Sequence, residues 1–281
     1  MSAKIIDGKA VAAKIKANLK LQIADLTSKG KTPGLAVVIV GDNPSSRKYV
    51  NMKKRACAEL GVYSEEHSLS RDSTQSELLC LIDDLNQNPR IHGILVQLPL
   101  PSHLNEGQVI ERIAPSKDVD GFHPISVGKL MIGIPGFISC TPAGVMELIK
   151  ETGVSIEGKE CVVIGRSNIV GKPQAILLLR EHGTVTICHS RTPDLAACCR
   201  RADILIAAVG KPELIKGDMI KPGAVVIDVG TSVNAEGKLV GDVHFDSVSK
   251  VAGWLTPVPG GVGPMTIAML MKNTVESALN F

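Results

Sequence analysis

The segment VVIGRSNIVGKP, residues 162–173, decides the fold of this chain. A run of apolar residues ends at Gly165 and a helical pattern begins near Gly171, so a strand turns directly into a helix. Such a turn presents backbone amides and a helix N-terminus to a pyrophosphate, as in dinucleotide-binding units. Ser167 stands where the common G-x-G-x-x-G fingerprint has its middle glycine. The pattern predicts a dinucleotide site, and an ordinary strand–helix turn is the alternative.

Strands and helices alternate on both sides of this turn. The predicted strands cover residues 35–40, 91–98, 161–165, 184–188, 204–208 and 224–228. The predicted helices cover residues 8–29, 46–60, 74–87, 142–152, 171–182 and 266–279. Residues 113–130 carry proline, glycine and acidic pairs, which predict a functional loop. This alternation is typical of parallel sheets covered by helices, so we expect two α/β domains with a ligand cleft between them.

Composition excludes several classes of protein. The chain has 281 residues, of which 44% are hydrophobic and 21% charged, which is typical of a globular protein with a full core. Aromatic residues make up only 2% and the net charge is +3, so neither nucleic acid nor a membrane is an expected partner. The seven cysteines contain no C-x-x-C pair and the histidines no H-x-x-x-H pair, so we expect no metal site. We expect a soluble protein of the reducing cytoplasm.

The end of the next strand bears on the choice of dinucleotide. Enzymes that use NAD place a carboxylate there to bind the ribose 2′-hydroxyl. This chain has His189, Ser190, Arg191 and Thr192 instead. Hydroxyls and a guanidinium suit a 2′-phosphate, which predicts NADP, unless Arg191 is only a solvated surface charge.

One lysine in the first half stands on the apolar face of its helix. At 100° per residue, Lys53 falls on the same stripe as Val50, Cys57 and Leu60, whereas the neighbouring cations face the other way. A lysine in that position either extends its ammonium outward to water or lines a cleft. In a cleft, desolvation would lower its pKa and make it a usable base.

Two further polar groups stand near predicted strand ends. Gln97 follows the apolar run of VQLPLP, at the sheet edge where open α/β folds bind ligands, although it could equally bond a loop backbone. Asp118 and Asp120 in KDVDGFHP resemble a metal-binding pair. Because no further ligands accompany them, we favour one hydrogen-bonding carboxylate.

Nine motifs in chain order resemble the bifunctional methylenetetrahydrofolate dehydrogenase/cyclohydrolase family. They are GDNPSSRKYVNMKKRAC (41–57), HGILVQLPLP (92–101), KDVDGFHP (117–124), CTPAG (140–144), VVIGRSNIVGKP (162–173), TICHSRT (186–192), ADILIAAVGKP (202–212), VVIDVG (225–230) and TPVPGGVGPMTIAMLMKNTVESA (256–278). The resemblance spans essentially the whole chain. It implies a discontinuous folate-binding catalytic domain of residues 1–139 plus 257–281, a Rossmann-type NADP-binding domain of residues 140–256, and a homodimer.

The resemblance also implies an activity. An enzyme of this family oxidises 5,10-methylenetetrahydrofolate with NADP and hydrolyses the product to 10-formyltetrahydrofolate, in one-carbon metabolism that serves purine biosynthesis. The alternatives are a monofunctional dehydrogenase, another two-domain NADP oxidoreductase such as a shikimate dehydrogenase relative, or a non-catalytic dinucleotide sensor.

Residue roles follow from the matched motifs. The resemblance assigns Tyr49 to stacking on the folate ring, Lys53 to catalysis, Gln97 to orienting Lys53, and Asp120 to hydrogen bonding with the pterin. Further substrate contacts are implied for Val96, Leu98, Pro259, Gly260, Gly263 and Thr266. Cofactor contacts are implied for Gly165, Arg166, Ser167, Ser190, Arg191 and Thr231. Three departures from the family pattern are Ser126 for Asn, Ser139 for Pro, and Thr231-Ser232 for Ile-Asn.

Overall fold

The computed structural model describes residues 2–234 and 236–280. The chain forms two compact units. One unit joins the N-terminal residues up to Ala13 with Thr141–Thr266, and the other joins Lys14–Cys140 with the residues from Ile267 onward. We call them the nucleotide unit and the lysine unit.

This division differs from the predicted domain boundaries in three places. Residues up to Ala13 and residues 257–266 belong to the nucleotide unit, and Cys140 belongs to the lysine unit. Lys4–Ile5 pairs with Trp254–Leu255 as a parallel strand, which draws the N-terminus into that unit. A side chain at Gly8 would stand 1.8 Å from the carbonyl oxygen of Gly261, so these two segments are in close backbone contact. Which functions belong to which domain remains a prediction.

The nucleotide unit is built on a parallel six-stranded sheet. Its strands are β1 (Lys4–Ile5), β5 (Glu160–Ile164), β6 (Thr184–Cys188), β7 (Ile204–Ala207), β8 (Val225–Asp228) and β11 (Trp254–Leu255). They lie in the order β1-β11-β8-β7-β5-β6. The chain leaves β5 for β6 on one side and returns to β7 on the other, so the strand order reverses at β5. A small antiparallel hairpin of β9 (Ser232–Val233) and β10 (Leu239–Val240) follows β8.

The lysine unit is built on a parallel sheet of three strands, β2 (Gly34–Val40), β3 (Tyr63–Leu69) and β4 (Gly93–Val96), in the order β3-β2-β4. Every residue of β2 is buried, as expected of a central strand. Strand β3 escaped prediction because its sequence YSEEHSL is polar and half-exposed along an edge. Glu66 on this edge pairs with Arg47 and Lys54, which covers the strand with charge.

The helices surround these sheets. They are α1 (Gly8–Ser28), α2 (Pro44–Leu60), α3 (Gln75–Gln87), α4 (Glu106–Arg112), α5 (Pro124–Ile132), α6 (Cys140–Glu151), α7 (Gly171–Arg180), α8 (Leu195–Arg201), α9 (Phe245–Val248) and α10 (Val262–Asn280). The six predicted helices are confirmed. No helix in the described part of the chain has the length and apolar character needed to cross a membrane.

The prediction that residues 113–130 form a functional loop with no helix or strand is wrong in its second half, where α5 begins at Pro124. The His123 side chain accepts a hydrogen bond from the Ile125 amide at the helix start, and Gly133 ends the helix in the left-handed conformation. Proline at the first position and glycine just past the end are ordinary helix signals. In a nine-residue helix they were indistinguishable from the punctuation of a loop.

A buried lysine anchors the segment that precedes α5. Lys117 is almost fully buried, and its Nζ donates hydrogen bonds to the carbonyl oxygens of Leu85 (3.1 Å) and Asn88 (2.9 Å) at the C-terminal end of α3. Cations are favourable at helix C-termini, where carbonyls lack partners within the helix. The Lys117 carbonyl accepts a bond from the Ile94 amide of β4. Lys117 therefore fixes the loop that carries Asp118 and Asp120 to both α3 and β4.

We predict that Lys117→Met lowers the free energy of unfolding by roughly 1.5–3 kcal/mol, because two buried hydrogen bonds from a charged donor are lost. The measurement is the urea unfolding midpoint. The control is Lys20→Met on the exposed face of α1, which should leave the midpoint nearly unchanged. Equal midpoints for the two variants would show that Lys117 does not anchor the loop.

Candidate active site

Helix α2 places one lysine among buried side chains. The Asn43 side chain accepts a hydrogen bond from the Ser46 amide (3.1 Å) and so fixes the start of the helix. From there the buried positions recur as Ser46, Val50, Lys53, Ala56, Cys57 and Leu60. Lys53 is only 9% exposed, whereas Lys48, Lys54 and Arg55 are exposed. The predicted division between one inward lysine and outward cations is confirmed, and Lys53 does not reach out to water.

The side-chain amide of Gln97 accepts a hydrogen bond from this lysine. Lys53 Nζ donates a hydrogen bond to Gln97 Oε1 over 3.0 Å. Gln97 lies just beyond β4, and its backbone amide still donates to the Val38 carbonyl (2.8 Å), which holds the residue in line with the sheet. The Gln97 side-chain nitrogen donates to the Leu98 carbonyl (2.7 Å). Because the nitrogen is engaged there, the oxygen is turned toward Lys53.

The carboxyl group of Asp120 carries a charge opposite to that of the Lys53 ammonium, and the two groups interact. Burial raises the pKa of this half-buried carboxyl to about 6, and the charge of Asp118 raises it too, while the charge of Lys53 opposes the rise. Burial likewise lowers the pKa of Lys53 from its usual 10.5, against the charges of Asp120 and Cys140. Both shifts favour the neutral forms. The site therefore holds a lysine that gives up its proton more readily than one in water.

Asp118 shapes the loop instead of facing a ligand. Its carboxylate accepts hydrogen bonds from the amides of Phe122 (3.1 Å) and His123 (2.9 Å) and from Ser126 Oγ (2.7 Å). These bonds fix the turn that leads into α5. Ser126, one of the departures from the family pattern, thus has a defined partner. Within residues 2–234 and 236–280, no cluster of three or more His, Cys, Asp or Glu side chains could hold a metal ion.

Asn273 holds the same loop from α10, and the sequence analysis missed it. Its side-chain nitrogen donates to the carbonyls of Val119 (2.8 Å) and Ile138 (3.1 Å). The thiol of Cys140 also donates to Val119 (3.3 Å) and lies within hydrogen-bonding reach of Asp120. An asparagine on the apolar face of the last helix was the signal that could have revealed this role.

The remaining predicted substrate residues fall in different units. Tyr49 precedes Lys53 by one helical turn and is 42% exposed, so part of its ring is open to solvent. Val96 and Leu98 flank Gln97 at the end of β4. Pro259, Gly260, Gly263 and Thr266 belong to the nucleotide unit, where Gly260 has a φ of +110° and Thr266 shares a hydrogen bond with Thr141 (2.9 Å).

The turn after β5 has the close backbone packing of a nucleotide cradle. A Cβ at Gly165 would stand 2.2 Å from the Ala208 carbonyl oxygen, and φ there is +128°, so only glycine fits. A Cβ at Gly171 would stand 2.3 Å from the Gly165 oxygen. Ser167 Oγ accepts hydrogen bonds from the amides of Val170 (3.2 Å) and Gly171 (3.3 Å), where α7 begins. The side chain that stands in place of the middle glycine therefore bonds the backbone just before and at the first residue of α7.

The end of β6 lies beside this turn. The Gly165 amide donates to the Cys188 carbonyl (2.9 Å), so residues 189–192 follow at the same edge of the sheet. His189 and Thr192 close a tight turn, because the His189 amide donates to Thr192 Oγ1 (2.9 Å). Ser190 and Arg191 are exposed at its tip, and Arg166 is exposed on the neighbouring turn. Two exposed guanidiniums and no carboxylate within residues 189–192 fit a nucleotide that carries a 2′-phosphate. Thr231 is also exposed, just after the end of β8.

Two family models match the chain. The catalytic domain of tetrahydrofolate dehydrogenase/cyclohydrolase matches residues 6–120, and the NAD(P)-binding domain of the same family matches residues 139–281. The chain is similar to the bifunctional protein FolD of Acetivibrio thermocellus, with 63% identity over 278 residues, covering 99% of this chain and 98% of that protein.

Solved structures agree with these matches. The FolD methylenetetrahydrofolate dehydrogenase/cyclohydrolase of Campylobacter jejuni is 52% identical, with a TM-score of 0.98 and 99% of each chain covered. The Trypanosoma brucei dehydrogenase-cyclohydrolase, solved with NADP cofactor and inhibitor, is 42% identical, with a TM-score of 0.96, covering 100% of this chain and 98% of that one.

We predict that Asp120→Asn lowers the pKa of Lys53 further, because the charge that favours the ammonium is removed. The measurement is a pH titration of the lysine side-chain signals by NMR. Asp83→Asn is the control, since Asp83 pairs with Arg112 on the surface and should not affect Lys53. An unchanged or higher pKa in Asp120→Asn would contradict the coupling of these two groups.

Proposed function

The chain belongs to the tetrahydrofolate dehydrogenase/cyclohydrolase family, and from that premise we propose which residues carry each of its two reactions. The enzyme oxidises 5,10-methylenetetrahydrofolate with NADP and hydrolyses the 5,10-methenyl cation to 10-formyltetrahydrofolate. NADP, when bound, accepts the hydride in the first reaction, so the protein's part there is to position the donor carbon. The second reaction needs proton transfers from the protein.

We assign those proton transfers to Lys53. Water must lose a proton as it adds to the methenyl carbon, and a ring nitrogen must gain one as the carbon–nitrogen bond breaks. A lysine whose pKa is lowered by burial can accept the first proton and return it to the nitrogen, while the second proton of the water goes to solvent. A neutral amine also suits a cationic substrate, because a carboxylate in the same place would pair with the cation.

The neighbours of Lys53 would then have supporting roles. Gln97 would orient the lysine through the 3.0 Å hydrogen bond to its Nζ. Asp120 would bind the pterin by hydrogen bonds, and Tyr49 would stack on the folate ring with its exposed face. The observation that carries this proposal is the burial of Lys53 with Gln97 as its hydrogen-bond acceptor and Asp120 as its charged neighbour.

We predict that Lys53→Met abolishes the cyclohydrolase, with a loss of at least about 10²-fold, while part of the dehydrogenase survives. Methionine keeps the length of the side chain and removes its proton. Methenyltetrahydrofolate decay and NADPH formation are measured on one folded sample. The control is Lys54→Met on the exposed face of the same helix, which should keep both activities. Near wild-type hydrolysis by Lys53→Met would remove Lys53 from the mechanism.

The exposed end of β6 is our proposed site for the 2′-phosphate of NADP. Ser190 and Arg191 would bind the phosphate, while Gly165, Arg166 and Ser167 would line the pyrophosphate turn and the backbone near Thr231 would contact the rest of the cofactor. Support comes from the close glycine packing at Gly165 and from the lack of a carboxylate in residues 189–192.

We predict that Arg191→Ala raises the KM for NADP by roughly tenfold or more and leaves the KM for NAD nearly unchanged, because a charge-assisted contact is lost only with the phosphorylated nucleotide. Arg180→Ala at the exposed end of α7 serves as the control and should change neither value. If Arg191→Ala weakened both cofactors equally, Arg191 would not read the 2′-phosphate.

The assembly and setting of the enzyme are also proposals. The family resemblance supports a homodimer, which sedimentation velocity of the purified chain would test. Seven free cysteines, five of them buried, are consistent with a reducing compartment such as the cytoplasm. The product, a formyl donor for one-carbon metabolism, would serve purine biosynthesis, which a deletion strain's requirement for purines would test.

A further inference from the structure

Two aspartates in the nucleotide unit are buried without a cation. Asp242 is fully buried and Asp228, at the end of β8, is 3% exposed. In the described residues neither carboxylate forms a salt bridge, although an unpaired buried charge is costly. The reactions proposed above use neither residue. Their burial therefore needs another explanation.

Backbone amides from three loops supply the missing partners. Asp242 accepts hydrogen bonds from three successive amides after β7, those of Val209 (2.6 Å), Gly210 (3.1 Å) and Lys211 (2.8 Å). Asp228 accepts from the amides of Gly230, Asp242 and Val243, each at 2.9 Å. Asp228 therefore holds the segment that carries Asp242, and Asp242 in turn holds the loop after β7.

Two glycines make room for these carboxylates. A Cβ at Gly241 would stand 1.8 Å from Asp228 Oδ2, and a Cβ at Gly230 would stand 2.3 Å from Asp242 Oδ1. Neither glycine has a positive φ in the range that would by itself require glycine. Their lack of a side chain is thus explained by the space that the carboxylates occupy, which identifies the four residues as one packed arrangement.

This arrangement lies at the ligand-binding edge of the sheet. Dinucleotides bind beyond the carboxyl ends of parallel strands, at the point where the strand order reverses. Here the order reverses at β5, which lies between β7 and β6 in the sheet. The Ala208 carbonyl oxygen after β7 lies where a Cβ on Gly165 after β5 would collide with it. Asp242 holds residues 209–211, which follow Ala208 directly. The loop that Asp242 fixes therefore borders the place where the strand order reverses, and it lies across from the turn assigned to the pyrophosphate.

We infer that Asp242, supported by Asp228, is a positioning residue for hydride transfer, because it holds residues 209–211 as the surface against which the nicotinamide half of NADP is placed. The inference rests on the proposed placement of NADP at this edge. Neither aspartate touches the reacting atoms in this account. Misplacing reacting groups by about 1 Å can cost on the order of 10²-fold in rate.

The test uses Asp242→Asn in the full-length enzyme. An amide cannot accept at both positions, because its NH₂ group would face a backbone N–H. We expect the dehydrogenase kcat to fall by about tenfold or more, while the cyclohydrolase measured on the same sample changes little. The control is Asp246→Asn, an exposed aspartate of α9 in the same unit, which should retain both activities.

A binding measurement separates positioning from a general structural role. We would titrate wild-type and variant enzyme with NADP and with 2′-phospho-ADP-ribose, which lacks nicotinamide. The account predicts that the truncated nucleotide binds both proteins alike, while the affinity difference between the two ligands narrows in Asp242→Asn. Equal loss of both ligands, or an unchanged dehydrogenase, would overturn the inference.

A second variant covers the case in which Asp242→Asn does not fold. Asp228→Asn can keep the two hydrogen bonds to Oδ1 and loses only that from the Val243 amide, so a smaller loss in the same direction is expected. An unchanged ratio of the two activities in that variant would also overturn the inference. Failure of the NADP placement itself would show differently, as an Arg191→Ala enzyme whose KM values for NADP and for NAD change by the same factor.

Discussion

The hydrogen bond between Lys53 and Gln97 is the constraint on which the lysine unit depends. An ammonium among buried side chains is unfavourable unless it is paired or gives up its proton. Here one neutral amide oxygen receives it, and the nearby carboxyl of Asp120 has its own pKa raised by burial. Burial therefore lowers the pKa of Lys53 below its usual value, so this side chain gives up its proton more readily than a lysine in water.

Buried aspartates that bind backbone amides organise both units. Asp118 fixes the turn into α5 in the lysine unit, and Asp242 fixes the loop after β7 in the nucleotide unit, each through three hydrogen bonds. Asp120 has a different environment, dominated by burial and by the charges of Lys53 and Asp118. Asp118 and Asp242 therefore shape loops through hydrogen bonds, whereas Asp120 shares the buried surroundings of the reactive lysine.

The sequence was sufficient for the features that depend on local pattern. Helical periodicity placed Lys53 on the buried face of α2, and the strand–glycine–helix pattern placed the turn at Gly165. What it could not give were contacts made across long separations in the chain. The bond from Asn273 to Val119 and those from residues 209–211 to Asp242 depend on tertiary packing, and no spacing rule predicts them. The N-terminal strand was missed for the same reason, since two residues carry no period and Lys4–Ile5 is a strand only because Trp254–Leu255 pairs with it.

The central claim is that a neutral Lys53 serves hydrolysis and not hydride transfer. The most direct measurement is the dependence of kcat on pH for both reactions of the wild-type enzyme, corrected for uncatalysed hydrolysis. A general base is active when unprotonated, so the account predicts that the cyclohydrolase rate rises with pH through an apparent pKa below the usual lysine value of 10.5. The dehydrogenase rate should lack that rise. Identical pH profiles for the two reactions, or a cyclohydrolase rate that falls over this range, would contradict it.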